Sequence, residues 1–282
     1  MTFTPKQIIH AVKNSQAHVT AVDVEPLSGG VSASMYKLHV VIDTTHYTWV
    51  FRAHKNVHNE YLFLIQAHSK TNLPVPTPLY YADNPNIFPS PYLIMSYIEH
   101  DRHIVDMPAP HLARMLSNIH TTDITGIDTT LSAKLHQHMQ QSSDHPLLQV
   151  LNNALPYVRY NAPTLNHGDY WGGNILWHRR DIIGIVDWED VAIGDPVADL
   201  GKSRLEFLWQ FDDETMQRYT QHYQYLMPHL DYRYLPFWDL WGAWLLRDFT
   251  DWIDDPMARQ QMQIKYDRFV SVAKVKLAQE IQ

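Results

Sequence analysis

The 282-residue chain contains no cysteine. Disulfides and thiolate metal sites are therefore excluded, and a reducing compartment is compatible. No apolar run approaches the roughly 20 residues needed to cross a bilayer. The segment "MTFTPKQIIHAVKNS" has neither a long apolar core nor a small-residue cleavage site, so no signal peptide is expected. The expected compartment is the cytoplasm, with no membrane partner. Positive charge is scarce, at 22 Lys and Arg against 30 Asp and Glu. Residues 1–160 hold 10 basic and 11 acidic side chains, whereas 161–282 hold 12 and 19. That acidic excess argues against a nucleic-acid partner and suits a cationic small molecule, although acidic surfaces also simply confer solubility. Internal repeats, low-complexity tracts and flexible linkers are absent too. So are the P-loop, G-x-G-x-x-G and H-E-x-x-H patterns. The "HQH" at 136–138 places its histidines at i and i+2, which share no helix face, so they read as surface residues.

What remains is an ordinary globular composition, 45% apolar and 18% charged, with 9 tryptophans and 16 tyrosines. Thr4-Pro5 predicts a helix start, with Ile8, Ile9 and Val12 on its apolar side. "MYKLHVVID" and "HYTWVFR" alternate as strands, with Asp43-Thr44-Thr45 as their hairpin turn. A helix follows, with Asn56 as N-cap and Tyr61, Leu64 and Ile65 as its apolar stripe. "LPVPTP" must be extended, and "YLIMSYIE" reads as a strand. From Pro108 the period is helical: Leu112, Met115, Leu116 and Ile119 fall at i, i+3, i+4 and i+7, and another helix is expected between Leu147 and Val158. The order predicts an α+β protein with a β-rich N-terminal lobe over 1–97 and a larger helical lobe over 98–282.

The segment "LNHGDYWGGNILWHRRDIIGIVDWED", 165–190, interrupts the helices. It reads as a loop, a short strand, a turn at "HRRD" and a second strand. A hairpin returns the chain towards its start, so Asp169 and Asn174 can lie near Asp187. Asp and Asn oxygens suit Mg²⁺, a hard cation. A further carboxylate can take the proton of an attacking hydroxyl, and metal with base suggests phosphoryl transfer.

His167-Gly168-Asp169, four residues and Asn174 resemble the His-x-Asp-x4-Asn catalytic loop of the protein-kinase-like superfamily. Together, "HGDYWGGNILW", "IVDWED" and "GDPVADL" resemble the aminoglycoside phosphotransferase and choline kinase-like family. The resemblance implies the two-lobed protein-kinase-like fold with a catalytic β-hairpin. It implies Asp169 as catalytic base, Asn174 and Asp187 as Mg²⁺ ligands, and His167 as a buried residue shaping the loop. Asp195 and Asp199 are expected to cap or brace the helix after the hairpin.

On the nucleotide side, "PLSGGVSASMYKL" offers Gly29 and Gly30, whose backbone N–H groups can approach phosphates, with Ser28, Ser32 and Ser34 nearby. Its place before two strands and a helix matches the family's nucleotide loop. The usual strand lysine is absent. Arg52 stands in the matching place, where a guanidinium can chelate phosphate, and Lys55 lies past the strand. Glu60, the only acidic residue between Asp43 and Asp83, is the expected partner of that cation. Met95, Tyr97 and Ile98 fall where the resemblance puts the adenine-receiving hinge.

No Ala-Pro-Glu motif or long segment follows Asp187, which disfavours a protein substrate. The expectation is an enzyme that moves the γ-phosphoryl of ATP or GTP to a hydroxyl of a small molecule, such as an amine-bearing one of aminoglycoside or choline type. A metabolite kinase of homoserine, fructosamine or sugar type, or a non-catalytic nucleotide-binding protein, are the alternatives. Acceptor contacts are sought at Trp188, Glu189, Trp244, Asp248, Asp251 and Trp252. Trp241, Trp244, Leu245, Asp248 and Trp252 also follow helical spacing, and a tryptophan stripe of that kind is more often core than pocket.

Overall fold

The computed structural model describes residues 3–27, 34–101, 108–125, 127 and 145–281. The chain divides into two compact units. One comprises Met1–Arg102, Leu176–Arg179 and Ile183–Glu189; the other comprises His103–Ile175, Arg180–Ile182 and Asp190–Gln282.

The first unit opens with helix α1, Pro5–Ser15. Thr4 and Gln7 form a reciprocal capping box, and Pro5 occupies the first turn, where its missing N–H costs nothing. Ile8, Ala11 and Val12 are buried at i, i+3 and i+4. Strands β1 (Val19–Pro26), β2 (Ser34–Ile42), β3 (Thr45–Ala53), β4 (Pro78–Ala82) and β5 (Tyr92–Ser96) form one antiparallel sheet ordered β1-β2-β3-β5-β4. A two-residue turn, Asp43-Thr44, joins β2 to β3, and Asp43 takes a φ of 53°, a left-handed conformation that Asp tolerates.

Alternation decides what each face of the sheet carries. Tyr36, Leu38 and Val40 of β2, with Trp49, Phe51 and Ala53 of β3, enter one core together with Phe88, Tyr92 and Ile94. Arg52 must then point from the opposite face. There it meets helix α2, Val57–Lys70. The buried side of α2 is Val57, Glu60, Phe63, Leu64 and Ala67. The stripe expected from the sequence is therefore rotated: Ile65 is exposed and Glu60 is inside. The reason is tertiary, since Glu60 turns in to face Arg52. Asn56 sits at the N-cap, but its side chain makes no capping bond.

Strands β7 (Ile175–His178) and β8 (Asp181–Ile185) pair as the expected hairpin, turning at Arg179-Arg180 with Arg179 at φ 58°. Its strands are held locally: Ile185 N–H donates to Pro74 O at 2.7 Å, and Asp101 N–H donates to Trp177 O at 2.7 Å.

In the second unit, α3 (Ala109–His120) and α4 (Pro146–Ala154) precede strand β6 (Thr164–Asn166), which pairs antiparallel with β9 (Ala192–Gly194). Helices α5 (Pro196–Gln210), α6 (Asp213–Leu226), α7 (Leu235–Leu245) and α8 (Pro256–Glu280) follow. The central member is α5, packed on β6, α6, α7 and α8. Close approach of α5 and α7 depends on glycine: a Cβ at Gly201 would lie 2.5 Å from the Trp238 carbonyl carbon, and one at Gly242 would lie 2.6 Å from the Lys202 Cα. The expected tryptophan helix stops at Leu245. Asp248 precedes a separate 3₁₀ turn, Phe249–Trp252, without a side-chain capping bond, so Trp241 and Trp252 do not share one helix face. Among the described residues, no helix is long and apolar enough to cross a membrane.

Candidate active site

In the first unit, three carboxylates surround one buried guanidinium. Arg52 is 1% exposed. Its Nη2 donates to Asp187 Oδ1 at 2.7 Å and to Glu189 Oε2 at 2.9 Å. Its Nε lies 3.3 Å from Glu60 Oε2, an ion contact without hydrogen-bond alignment. His54 Nδ1 lies 3.0 Å from the same Glu189 oxygen. Burial alone would lower the Arg52 pKa, but Glu60, Asp187 and Glu189 outweigh it and hold the guanidinium charged. Burial pushes the Glu60 carboxyl up to about 7, against the attraction of Arg52. Glu60 Oε1 also receives the Trp188 N–H at 3.4 Å, so it braces the segment carrying Asp187. Asp187 itself has a φ of 67°, a left-handed conformation seldom adopted by a residue with a side chain.

The second unit holds the loop around Asp169. Gly168 has a φ of 83°, and a Cβ there would lie 2.2 Å from Asp190 O. Only glycine fits, because both the dihedral and the neighbouring backbone exclude a side chain. Asp199 pins the loop from the first turn of α5. Its Oδ2 accepts the His167 N–H at 2.6 Å and its Oδ1 the Gly168 N–H at 2.8 Å. His120 closes this buried network, with Nε2 3.3 Å from Asp199 Oδ2 and Nδ1 2.5 Å from the Tyr223 hydroxyl. Burial would raise the Asp199 pKa, but His120, His167 and the Gly168 N–H hold it below the ordinary value.

Asp169 is held through both oxygens. Lys202 Nζ donates to Oδ1 at 2.5 Å, and Asn174 Nδ2 donates to Oδ2 at 2.9 Å. The Asp169 N–H donates to His167 Nδ1 at 3.2 Å. Burial works to raise the Asp169 pKa, but Lys202, His167 and Asn174 hold it low, so the group is a carboxylate at neutral pH. Its side chain is still 27% exposed, enough to meet a ligand. Asn174 directs its amide nitrogen to Asp169, which leaves Oδ1 as the atom able to face a cation. Asp187 in the first unit and Asn174 in the second each carry a hard oxygen donor. Among the described residues no group of three or more His, Asp or Glu is arranged to hold a metal by itself.

Ser28, Gly29, Gly30 and Ser32 lie outside the described residues, as does the "HQH" segment. Met95 lies mid-sheet between Val50 and Pro78, and the Tyr97 N–H is bonded to Thr48 O, so neither backbone N–H is well placed to serve a base. Ile98 lies beyond the sheet, with its carbonyl 2.8 Å from His100 Nδ1. Asp195 caps α5 through the Val197 N–H, and its carbonyl accepts from Asn166. His167 is wholly buried. Of the acceptor candidates, Trp188 is corrected to a core residue: it is 0% exposed, stacked on Phe63 at 4.4 Å, with Nε1 donating to Ile185 O. Glu189 belongs to the Arg52 cluster. Trp244 is buried under the Arg247 guanidinium, whereas Asp248 and Trp252 are exposed.

Lys202 and Glu206 were not expected. Their signal was available: Asp199, Lys202, Glu206 and Gln210 recur at helical spacing within a helix whose other side is apolar.

Residues 23–238 match the Phosphotransferase enzyme family (APH). Viomycin phosphotransferase of Streptomyces vinaceus is 34% identical over 80 residues, covering 27% of this chain and 26% of that protein. Acyl-CoA dehydrogenase family member 11 of Rattus norvegicus is 26% identical over 168 residues, covering 48% of this chain and 21% of the relative. The matches thus span about a fifth to a quarter of those relatives. Among solved structures, aminoglycoside phosphotransferase APH(4)-Ia superposes with a TM-score of 0.63 at 17% identity, covering 99% of this chain and 98% of its own. An amicoumacin kinase, in complex with AMP-PNP, Ca²⁺ and its ligand, superposes with a TM-score of 0.63 at 13% identity, covering 95% and 96%. The fold is the α+β protein-kinase-like one.

Proposed function

The chain belongs to the Phosphotransferase enzyme family, and from that premise we propose that it transfers the γ-phosphoryl of ATP or GTP to a hydroxyl of a small molecule. The observation that carries this reading is Asp169, an ionised carboxylate fixed on both oxygens and still 27% exposed. The acceptor oxygen forms a bond to the γ-phosphorus as the bond from phosphorus to the β,γ-bridging oxygen breaks. The acceptor proton passes to the Asp169 carboxylate, and the nucleoside diphosphate leaves. Asn174 Oδ1 and the Asp187 carboxylate are the groups that would hold Mg²⁺. Bound there, the ion would neutralise phosphate charge. Arg52 orients Asp187 and places its positive charge for the phosphates, with Glu60 holding it in turn.

We assign residues 1–97 to nucleotide binding and 98–282 to catalysis and acceptor binding. The assignment of the phosphates to Gly29 and Gly30 rests on the sequence, as does that of the base to Ile98. Asp248, Asp251 and Trp252 remain the acceptor candidates. Their acidic and aromatic character supports an amine-bearing acceptor. AMP-PNP and Ca²⁺ in the amicoumacin kinase complex support a nucleoside triphosphate and a divalent cation. A cytoplasmic location is part of the same proposal, and the cysteine-free composition is compatible with it.

A coupled ADP- and GDP-release screen tests the proposal, over aminoglycosides, macrolides, choline, ethanolamine, homoserine, fructosamines, sugars and nucleosides. One acceptor should give Mg²⁺-dependent turnover, and Asp169→Ala should lower it by about 10²–10⁴-fold. Full activity in that variant would overturn the base assignment. A nucleotide-induced thermal shift with no phosphorylated product from any acceptor would favour a non-catalytic nucleotide-binding protein.

A further inference from the structure

One face of α5 runs alongside the loop that carries Asp169. Asp199 takes the His167 and Gly168 N–H groups. One turn on, Lys202 Nζ donates to Gly168 O at 2.8 Å and to Asp169 Oδ1 at 2.5 Å. At the end of the helix, a Cβ on Gly172 would lie 2.2 Å from Gln210 Oε1, so the Gln210 side chain borders the same loop. Between them stands Glu206, whose carboxyl is pushed up to about 7 by burial, partly offset by Lys202. The ammonium thus faces Asp169, Asp190 and Glu206 together, and stays charged despite its burial.

Such a cluster is costly. A buried ion pair is seldom more stabilising than apolar residues of the same volume, because two charges must be desolvated. Its position suggests a different use. A carboxylate that accepts a proton must present one defined oxygen, and rotation about its terminal bond exchanges the two. Lys202 takes Oδ1 from the α5 side, while Oδ2 accepts from Asn174. We infer that Lys202 is a positioning residue for phosphoryl transfer: by clamping Asp169 Oδ1 and the Gly168 carbonyl it directs Oδ2 to the acceptor hydroxyl. This rests on Asp169 being the base.

The test is a double-mutant cycle on Lys202→Met and Asp169→Asn. Turnover is read as nucleoside diphosphate release from the Mg²⁺–nucleotide complex, with water and with each acceptor found in the screen. Lys202→Met should lower kcat by about 10²-fold, the cost of a misplaced reacting group, and leave the nucleotide KM unchanged. In the Asp169→Asn background it should cause no further loss. Lys202→Arg should recover part of the lost kcat. If Lys202→Met does not fold, Lys202→Gln, which keeps a donor for the Gly168 carbonyl, takes its place with the same expectations. Wild-type kcat in the Lys202 variant, or an equal loss in both backgrounds, overturns the inference while leaving Asp169 as base. Wild-type turnover in Asp169→Asn instead overturns the base assignment itself. If neither Lys202→Met nor Lys202→Gln folds, Lys202 is purely structural and the inference is lost.

Discussion

Gly168 illustrates how little freedom a single residue has beside Asp169. Its φ of 83° would cost an L-residue about 1–2 kcal/mol, and a Cβ would overlap Asp190 O at 2.2 Å. Gly168→Ala is therefore expected to lower both the thermal midpoint and kcat, since the Asp169 backbone shifts with it. A variant with wild-type melting and turnover would show that the loop relaxes at no cost. Glu206 makes a second prediction at this scale, with a definite sign. Its carboxyl titrates near 7 in the folded chain against an ordinary value of 4.5. Between those values the folded state holds a proton that the unfolded state has released. Its contribution to stability is therefore full below the lower value and is lost as pH rises through the window. Urea unfolding at pH 5 and pH 7.5 should show a smaller difference for Glu206→Gln than for the wild type. An equal or larger difference would place the proton elsewhere.

At the scale of elements, helix and strand periods were legible where one face meets one core. The alternation of β2 and β3 and the capping box of α1 follow from local sequence. The buried face of α2 was legible only in part, because its inner side carries Glu60, whose charge by itself favours solvent. Only Arg52, arriving from β3, makes that burial tolerable. The stop of α7 at Leu245 was hidden for another reason: no glycine or proline marks it, and the apolar period runs on through Leu246 to Phe249. Where α5 meets α7, Gly242 should reverse an ordinary rule. Gly→Ala inside a helix usually stabilises by about 1 kcal/mol. Here the new Cβ would lie 2.6 Å from the Lys202 Cα, so Gly242→Ala is expected to destabilise, read as a lower urea midpoint. A higher midpoint would mean the helices separate freely.

At the scale of the whole molecule, ligand linkage is the direct readout. A nucleotide that binds only the folded state stabilises it by about 2.7 kcal/mol at a hundred times its Kd. MgATP or MgGTP should therefore raise the thermal midpoint of the wild type, and chelating the metal should remove most of that shift. Asp187→Ala should lose the metal-dependent part. An unchanged shift in that variant would remove Asp187 from the metal site. The excess of acidic residues in 161–282 further predicts that salt weakens binding of a cationic acceptor, by screening.

The sequence by itself determined the chemical inventory and its order: a base candidate, an amide and a carboxylate, spaced by one loop and one hairpin, with an arginine and a glutamate on earlier elements. That information is local, carried by residue type, turn chemistry and short-range periodicity. Tertiary structure decided which of those groups are charged, held or hidden. Trp188 became core, Glu60 was drawn inward, Asp187 adopted a left-handed backbone, and Lys202 reached Asp169 across 33 residues of chain. Helical spacing can mark Lys202 as sharing a face with Asp199, but its pairing with Asp169, like the burial of Trp188 and Glu60, depends on neighbours that are distant in the chain.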